Sequence, residues 1–338
     1  MAQQNVSPQS RFLVFGTVSF YMVAALAMVM ANKWVLNATS VPLFFLLTQL
    51  VIAVVLFIFS HVVGLLKLPF RLNLELCKGL APMLTLNVIG LSFSNFTLKY
   101  VDASFYQVAR GLVLPFTVLT SYIFLSARPS LYVLFACGIV TCGFFIGVFL
   151  DGLNVSTKGV LFGVVSSATT ALHAVVIKKA IKLLNDSALD LCWYTNLLSA
   201  VLLSVVVVIS GEVPGIIELL YGDSDVLKTL IWGSLITGML GFLMGIASLL
   251  SIKITSPITH MVSSAVRGVA GSFLAVLFFQ DIITSGRAAS IAIILGGSVY
   301  YTWVKHVESQ GTPLKTEKNA YEHIPLDKIE AGKADKPE

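Results

Sequence analysis

About every thirty residues this chain presents a run of roughly twenty apolar residues with almost no charge, the length that spans a bilayer as one helix. No other feature limits the fold as strongly. The windows predict ten helices, near 12–35, 42–65, 79–97, 103–126, 131–150, 158–181, 190–210, 227–250, 257–279 and 286–305. A membrane β-barrel would need alternating segments of about ten residues, and runs such as Val201–Ile209 do not alternate. The chain is 57% hydrophobic and 12% charged, far from a soluble globular composition and equally far from a disordered one. The first window is too long for a signal peptide and lacks a small-residue cleavage site, so it is expected to stay as the first helix. Residues 211–226, with Glu212, Glu218, Asp223 and Asp225, read as the single long internal loop.

The charges are concentrated where they can reach water. Residues 305–338 hold 13 of the 39 charged side chains and read as a polar, disordered tail. With ten spans both termini share one side. That side collects 15 Lys and Arg residues, among them Arg71, Lys178, Lys179 and Lys182, against five on the other: Lys33, Lys99, Lys158, Lys228 and Arg287. The positive-inside rule therefore predicts cytosolic termini.

Two arginines remain. Arg110 stands seven residues and Arg267 ten residues into its predicted helix, depths of about 10 and 15 Å at 1.5 Å per residue. A charge at such depth is costly and marks a functional candidate. No Asp or Glu lies deep in any predicted span; Asp102, at the start of the fourth, comes nearest. Proton- and sodium-coupled carriers commonly use intramembrane carboxylates, whereas a basic cavity without acids favours an anion. The guanidinium fork matches phosphate. Lys33, Lys179 and Lys305 lie nearer helix ends, where snorkelling anchors are the alternative.

Both arginines stand in similar local sequence, Val108-Ala109-Arg110-Gly111 and Ala265-Val266-Arg267-Gly268, 157 residues apart. Five spans per half is odd, so a repeat would be inverted, as in many transporters with a midplane site. The expected division is a cytosolic N-terminus (1–11), a first repeat (12–150), a second, inverted repeat (151–306) and the tail (307–338). Polar and aromatic residues near the arginines are candidates for reading the rest of a ligand: Asn32, Tyr106, Tyr194, Asn196, Thr259, His260, Ser263, Ser264 and Tyr301. Helix–helix hydrogen bonding and an interfacial aromatic belt are the competing roles for such residues. The four cysteines have no metal-ligand spacing, and the catalytic signatures GxSxG, HExxH and the P-loop do not occur. An enzyme is therefore not expected, and neither a cofactor nor a nucleic-acid partner is called for. A membrane scaffold is the weaker alternative to a carrier.

Several stretches carry a family resemblance: Ala31-Asn32-Lys33, Leu98-Lys99-Tyr100-Val101, Ser104-Phe105-Tyr106-Gln107-Val108-Ala109-Arg110, Trp193-Tyr194-Thr195-Asn196, Thr255-Ser256-Pro257-Ile258-Thr259-His260, and Gly296-Gly297-Ser298 before Tyr301-Thr302-Trp303. Over about residues 30–306 the chain resembles the nucleotide-sugar transporters of the drug/metabolite transporter superfamily, with its nearest likeness to the GDP-fucose transporters. The resemblance implies ten helices in two inverted five-helix repeats and a Golgi or endoplasmic reticulum membrane. It also implies exchange of a cytosolic nucleotide sugar for a lumenal nucleoside monophosphate by alternating access, with a homodimer as an open option. By the same resemblance Arg267 takes a phosphate-binding lysine position, Lys179 matches a late sixth-helix lysine, and Tyr194 and Asn196 match a nucleotide-contacting motif. Arg110 and Lys33 would support the phosphates, and Thr259, His260, Ser263 and Ser264 the sugar. UDP-xylose, GDP-mannose and sugar phosphates are the alternative substrates.

Overall fold

A computed structural model describes the backbone of residues 8–152, 155–254 and 257–311, and the side chains within these apart from 8–15, 178, 248–254, 257–266, 309 and 311. The described residues form helices and no strands: α1 (Pro8–Ala38), α2 (Pro42–Val62), α3 (Leu74–Tyr100), α4 (Ala103–Gly111), α5 (Val113–Leu125), α6 (Leu131–Phe149), α7 (Thr157–Ala180), α8 (Ala188–Ile209), α9 (Val213–Tyr221), α10 (Ser224–Ile254), α11 (Pro257–Phe279) and α12 (Ser285–Gly311). A 3₁₀ turn, Ile181–Leu184, follows α7. Among the described residues, eight segments are long and apolar enough to cross a membrane: α1 from Gly16, α2, α3, α4 with α5, α6, α7 to Ile177, α8, and α10 to Ala247. In α11 the described apolar stretch is the shorter Arg267–Phe279.

Local sequence explains where these helices start and break. Asn73, Ser130, Ser156 and Ser187 each accept a bond from a backbone N–H in the first turn of α3, α6, α7 and α8. The expected helix 103–126 is interrupted because Pro115 has no N–H to return to the carbonyl of Gly111. The Leu112 N–H turns instead to Ala109 O at 3.3 Å, which separates α4 from α5. The expected long loop 211–226 is corrected. It contains α9, whose Pro214 sits in the first turn, where a missing N–H leaves nothing unpaired.

Val41 precedes α2 and offers no side-chain acceptor. Glu212 fills the role from 169 residues away, accepting from Leu43 N at 3.0 Å and Phe44 N at 2.8 Å. Burial lifts its carboxyl above the usual range, outweighing those two N–H groups and the nearby Lys99 charge. A carboxyl raised on folding contributes most stability below its unfolded value and loses it as pH rises through the folded one. Glu212→Gln keeps an acceptor without the charge and is expected to melt at or above the wild type at neutral pH. Glu212→Ala leaves the N–H groups bare and is expected to lose about 1 kcal/mol. Thermal denaturation at pH 7 tests that order.

Small residues bring the helices together. In α6 and α12, a Cβ on Gly143 would lie 2.8 Å from Ile294, one on Gly147 2.6 Å from Ser290 Oγ, and one on Gly297 2.7 Å from Val140. Ser290 also donates to Gly143 O at 2.7 Å. In lipid such close approach replaces the hydrophobic drive between helices. Besides α6 with α12, the most extensive packing pairs α3 with α7, α1 with α10, α2 with α10 and α8, and α5 with α7, while α4 lies against α11.

Candidate functional site

The α4 helix is sided. Phe105 and Ala109 are buried in the core, while Gln107 and Arg110, one turn apart from each other, lie on the opposite face. There they meet a cavity of about 440 Å³, within the roughly 300–1,000 Å³ of small-molecule sites. Its walls are Gln107, Arg110, Leu114 and Thr117 of α4 and α5, Arg267 and Gly268 of α11, and Ala174 of α7. A stripe of α12 at helical spacing, Ile291, Ile294, Ser298 and Tyr301, closes the circuit.

Two cations face this space and no carboxylate does among the described lining residues. Arg110 is exposed although it sits deep in a span, because the cavity reaches it. Its Nη1 donates to the Tyr106 hydroxyl at 3.1 Å, and its guanidinium carbon lies 5.7 Å from that ring's centre. The Tyr106 oxygen accepts from Arg110 and is also hydrogen-bonded to Ser94 Oγ, 2.7 Å away, where either hydroxyl can donate. Tyr106 itself is buried and fixes the arginine from behind. Arg267 stands over the Tyr21 ring of α1 at 5.7 Å and lines the same cavity as Arg110. Two like charges so placed repel until a counter-charge enters between them. A ligand with adjacent anionic groups relieves that repulsion, and each guanidinium can meet it with paired donors.

Of the residues expected to form a site, Arg110, Arg267 and Tyr301 line this cavity, and Tyr106 braces it from behind. Others lie apart. Lys33 is 7% exposed, and its Nζ donates to Leu98 O at 2.9 Å and Val101 O at 2.8 Å. It thereby caps the C-terminal end of α3, where the helix dipole favours a cation. Asn32 Oδ1 accepts from Gln49. The Tyr194 hydroxyl donates to Arg71 O at 2.8 Å, beside Trp193, whose Nε1 donates to Pro69 O at 2.9 Å. This pair ties the connection between α2 and α3 to α8. Asn196 donates to Cys192 O within its own helix. Lys179 is exposed near the end of α7, five residues beyond the cavity-lining Ala174. The side chains of Thr259, His260, Ser263 and Ser264 lie outside the described residues. Gln107, Thr117 and Ser298 also line the cavity, the last two absent from the expected set. Stepping three or four residues along α4 and α5 from Arg110 reaches the first two of these.

Known proteins bear on this geometry. The profile of the Triose-phosphate Transporter family matches residues 13–302. The chain is 32% identical over 310 residues to the "GDP-fucose transporter 1" of Mus musculus, covering 87% of this chain and 84% of that protein. It is 29% identical over 309 residues to the "GDP-fucose transporter, Golgi" of Drosophila melanogaster, covering 87% and 90%. It is 25% identical over 279 residues to the "Phosphoenolpyruvate/phosphate translocator 1, chloroplastic" of Arabidopsis thaliana, covering 82% and 68%.

Proposed function

The chain belongs to the Triose-phosphate Transporter family, and from that membership we propose that it carries a nucleotide sugar, GDP-fucose first among them, across a Golgi membrane. One observation carries the reading: Arg110 and Arg267 share a cavity whose described lining holds no carboxylate. A nucleoside diphosphate sugar supplies two adjacent phosphates for two guanidinium forks, and its base and sugar would extend toward Gln107, Thr117, Ser298 and Tyr301. Thr259, His260, Ser263 and Ser264 remain candidate sugar contacts. The resemblance keeps Lys179, Tyr194, Asn196, Asn32 and Lys33 as candidates in another conformation of the transport cycle.

Exchange for a nucleoside monophosphate fits the electrostatics. An empty cavity with two facing cations is costly to enclose, so it reorients when an anion neutralises it. Alternating access in turn suits ten spans in two inverted repeats, 12–150 and 151–306, with both termini in the cytosol. The pairing of helices supports that symmetry. Take α4 and α5 as one span, omit α9, and number the ten spans in order. Adding five to each number turns the pair α1 with α10 into α7 with α3, and turns α2 with α8, α4 with α11, and α6 with α12 into themselves.

The Arabidopsis relative favours a second reading, a smaller phosphorylated metabolite. Competition against labelled GDP-fucose in detergent separates the two. GDP-fucose and GMP are expected to displace the label well below the concentration needed for UDP-xylose, GDP-mannose or phosphoenolpyruvate. Preferential displacement by phosphoenolpyruvate would overturn the nucleotide-sugar reading.

A further inference from the structure

A buried ion network lies one helical turn from the cavity lining, at the end of α12 opposite its C-terminus. Arg287 is 1% exposed. It stands one helical turn before Ile291, on the α12 stripe that lines the cavity. Its Nε donates to Asp151 at 3.0 and 3.2 Å, and its Nη2 binds the same carboxylate, which is itself fully buried. Its Nη1 reaches Asp102 and Ser104 Oγ, at 2.9 and 2.8 Å. Thr284 donates to Asp151, and Asp281 accepts from Ser104 N at 2.9 Å. The network therefore ties the start of α4, the end of α6, the connection between α11 and α12, and the start of α12. Ser104 lies one turn before the cavity residues Gln107 and Val108, and Asp102 about a turn and a half before them, so the network adjoins the cavity lining along both α4 and α12.

The other end of the same helices has nothing comparable among the described residues. There Lys305 pairs with Glu308 at 2.8 Å, with their side chains 42% and 35% exposed.

We propose that the Arg287–Asp151–Asp102 network is the gate that closes the cavity at the end away from the termini, and that it parts when the cavity opens there. The proposal rests on the transport reading, since a gate has meaning only in a protein that alternates. The chemistry suits the task. Paired in a dry site, these charges hold four helix ends together, but each is strongly hydrated once water enters, so separation is tolerable only in the state open to that side. Asp102 is already half exposed and marks the rim by which water would enter.

The test reads sidedness, not transport. In a chain whose Cys77, Cys137, Cys142 and Cys192 are replaced by serine or alanine, Ile291→Cys is probed with an impermeant maleimide. The reagent is applied to each side of oriented proteoliposomes. Labelling is expected from the terminal side. Adding Asp151→Asn is expected to raise labelling from the opposite side about tenfold, and Asp102→Asn by a smaller factor, by shifting the population toward the open state. Unchanged labelling from that side in a folded Asp151→Asn protein would overturn the gate. If Asp151→Asn does not fold, the milder Asp102→Asn decides alone: a rise supports the gate and no rise overturns it. Failure of nucleotide-sugar exchange would leave the labelling result intact and count against the proposed function only.

Discussion

Arg267→Ala is expected to reduce nucleotide-sugar uptake about a hundredfold, the size of one lost charge-assisted contact of about 2–3 kcal/mol, while the protein folds and inserts normally. Arg267 packs over Tyr21 and faces a cavity, so its removal leaves no carboxylate of the described lining without its partner. Truncating a buried ion pair would destabilise the protein; truncating this cation should not. Arg110 would remain, still held by Tyr106, and would keep one of two phosphate contacts. Arg267→Lys keeps the charge but loses the fork, and about a tenfold loss is expected. Uptake into proteoliposomes at saturating and limiting substrate measures these losses, and melting curves check the fold. An Arg267→Ala protein that carries substrate normally would remove the site from this cavity.

Gly286→Ala is expected to destabilise the protein by about 3 kcal/mol or more, the upper range for overpacking, because nothing near it can move aside. A Cβ there would lie 1.7 Å from the carbonyl oxygen of Leu150, 2.5 Å from its carbon and 3.0 Å from Asp151 N. All three are backbone atoms at the end of α6. The close approach has a purpose in the fold, since it brings Arg287, the next residue, onto the Asp151 carboxylate. A methyl group would push α12 away from α6 and part the ion network. The loss is expected in thermal melting and in yield of folded protein. Gly296→Ala, where a Cβ meets nothing within 4 Å, is the matched control and should be near neutral.

Which residues could be read from the sequence follows from range. Arg110 and Arg267 stood out because cost per charge at depth is a local argument, and both line the cavity. Lys33, expected near a helix end and linked to the phosphates only through the resemblance, lies apart from the cavity. Its two carbonyl partners, Leu98 and Val101, lie 65 and 68 residues away, and no local pattern announces them. Arg287 sorts by sequence among the cations of the loops. Its partners Asp151 and Asp102 are 136 and 185 residues distant, and only packing turns three span-end charges into one buried network. The interruption between α4 and α5 was, by contrast, written locally in Pro115. The helix α9 was also open to reading, since Pro214 and the apolar residues that follow it lay inside the stretch taken as a loop. Tyr194 and Asn196 form a recognisable motif, yet here their polar atoms go to Arg71 O and Cys192 O, which a motif match cannot reveal.

Exchange across a bilayer tests the central claim most directly. Purified protein is reconstituted into vesicles preloaded with GMP or left empty, and labelled GDP-fucose is offered outside. Rapid uptake is expected only with GMP inside, and Arg267→Ala vesicles should remain near background. Equal uptake into empty and loaded vesicles would contradict exchange, and no uptake in either would contradict GDP-fucose as the cargo.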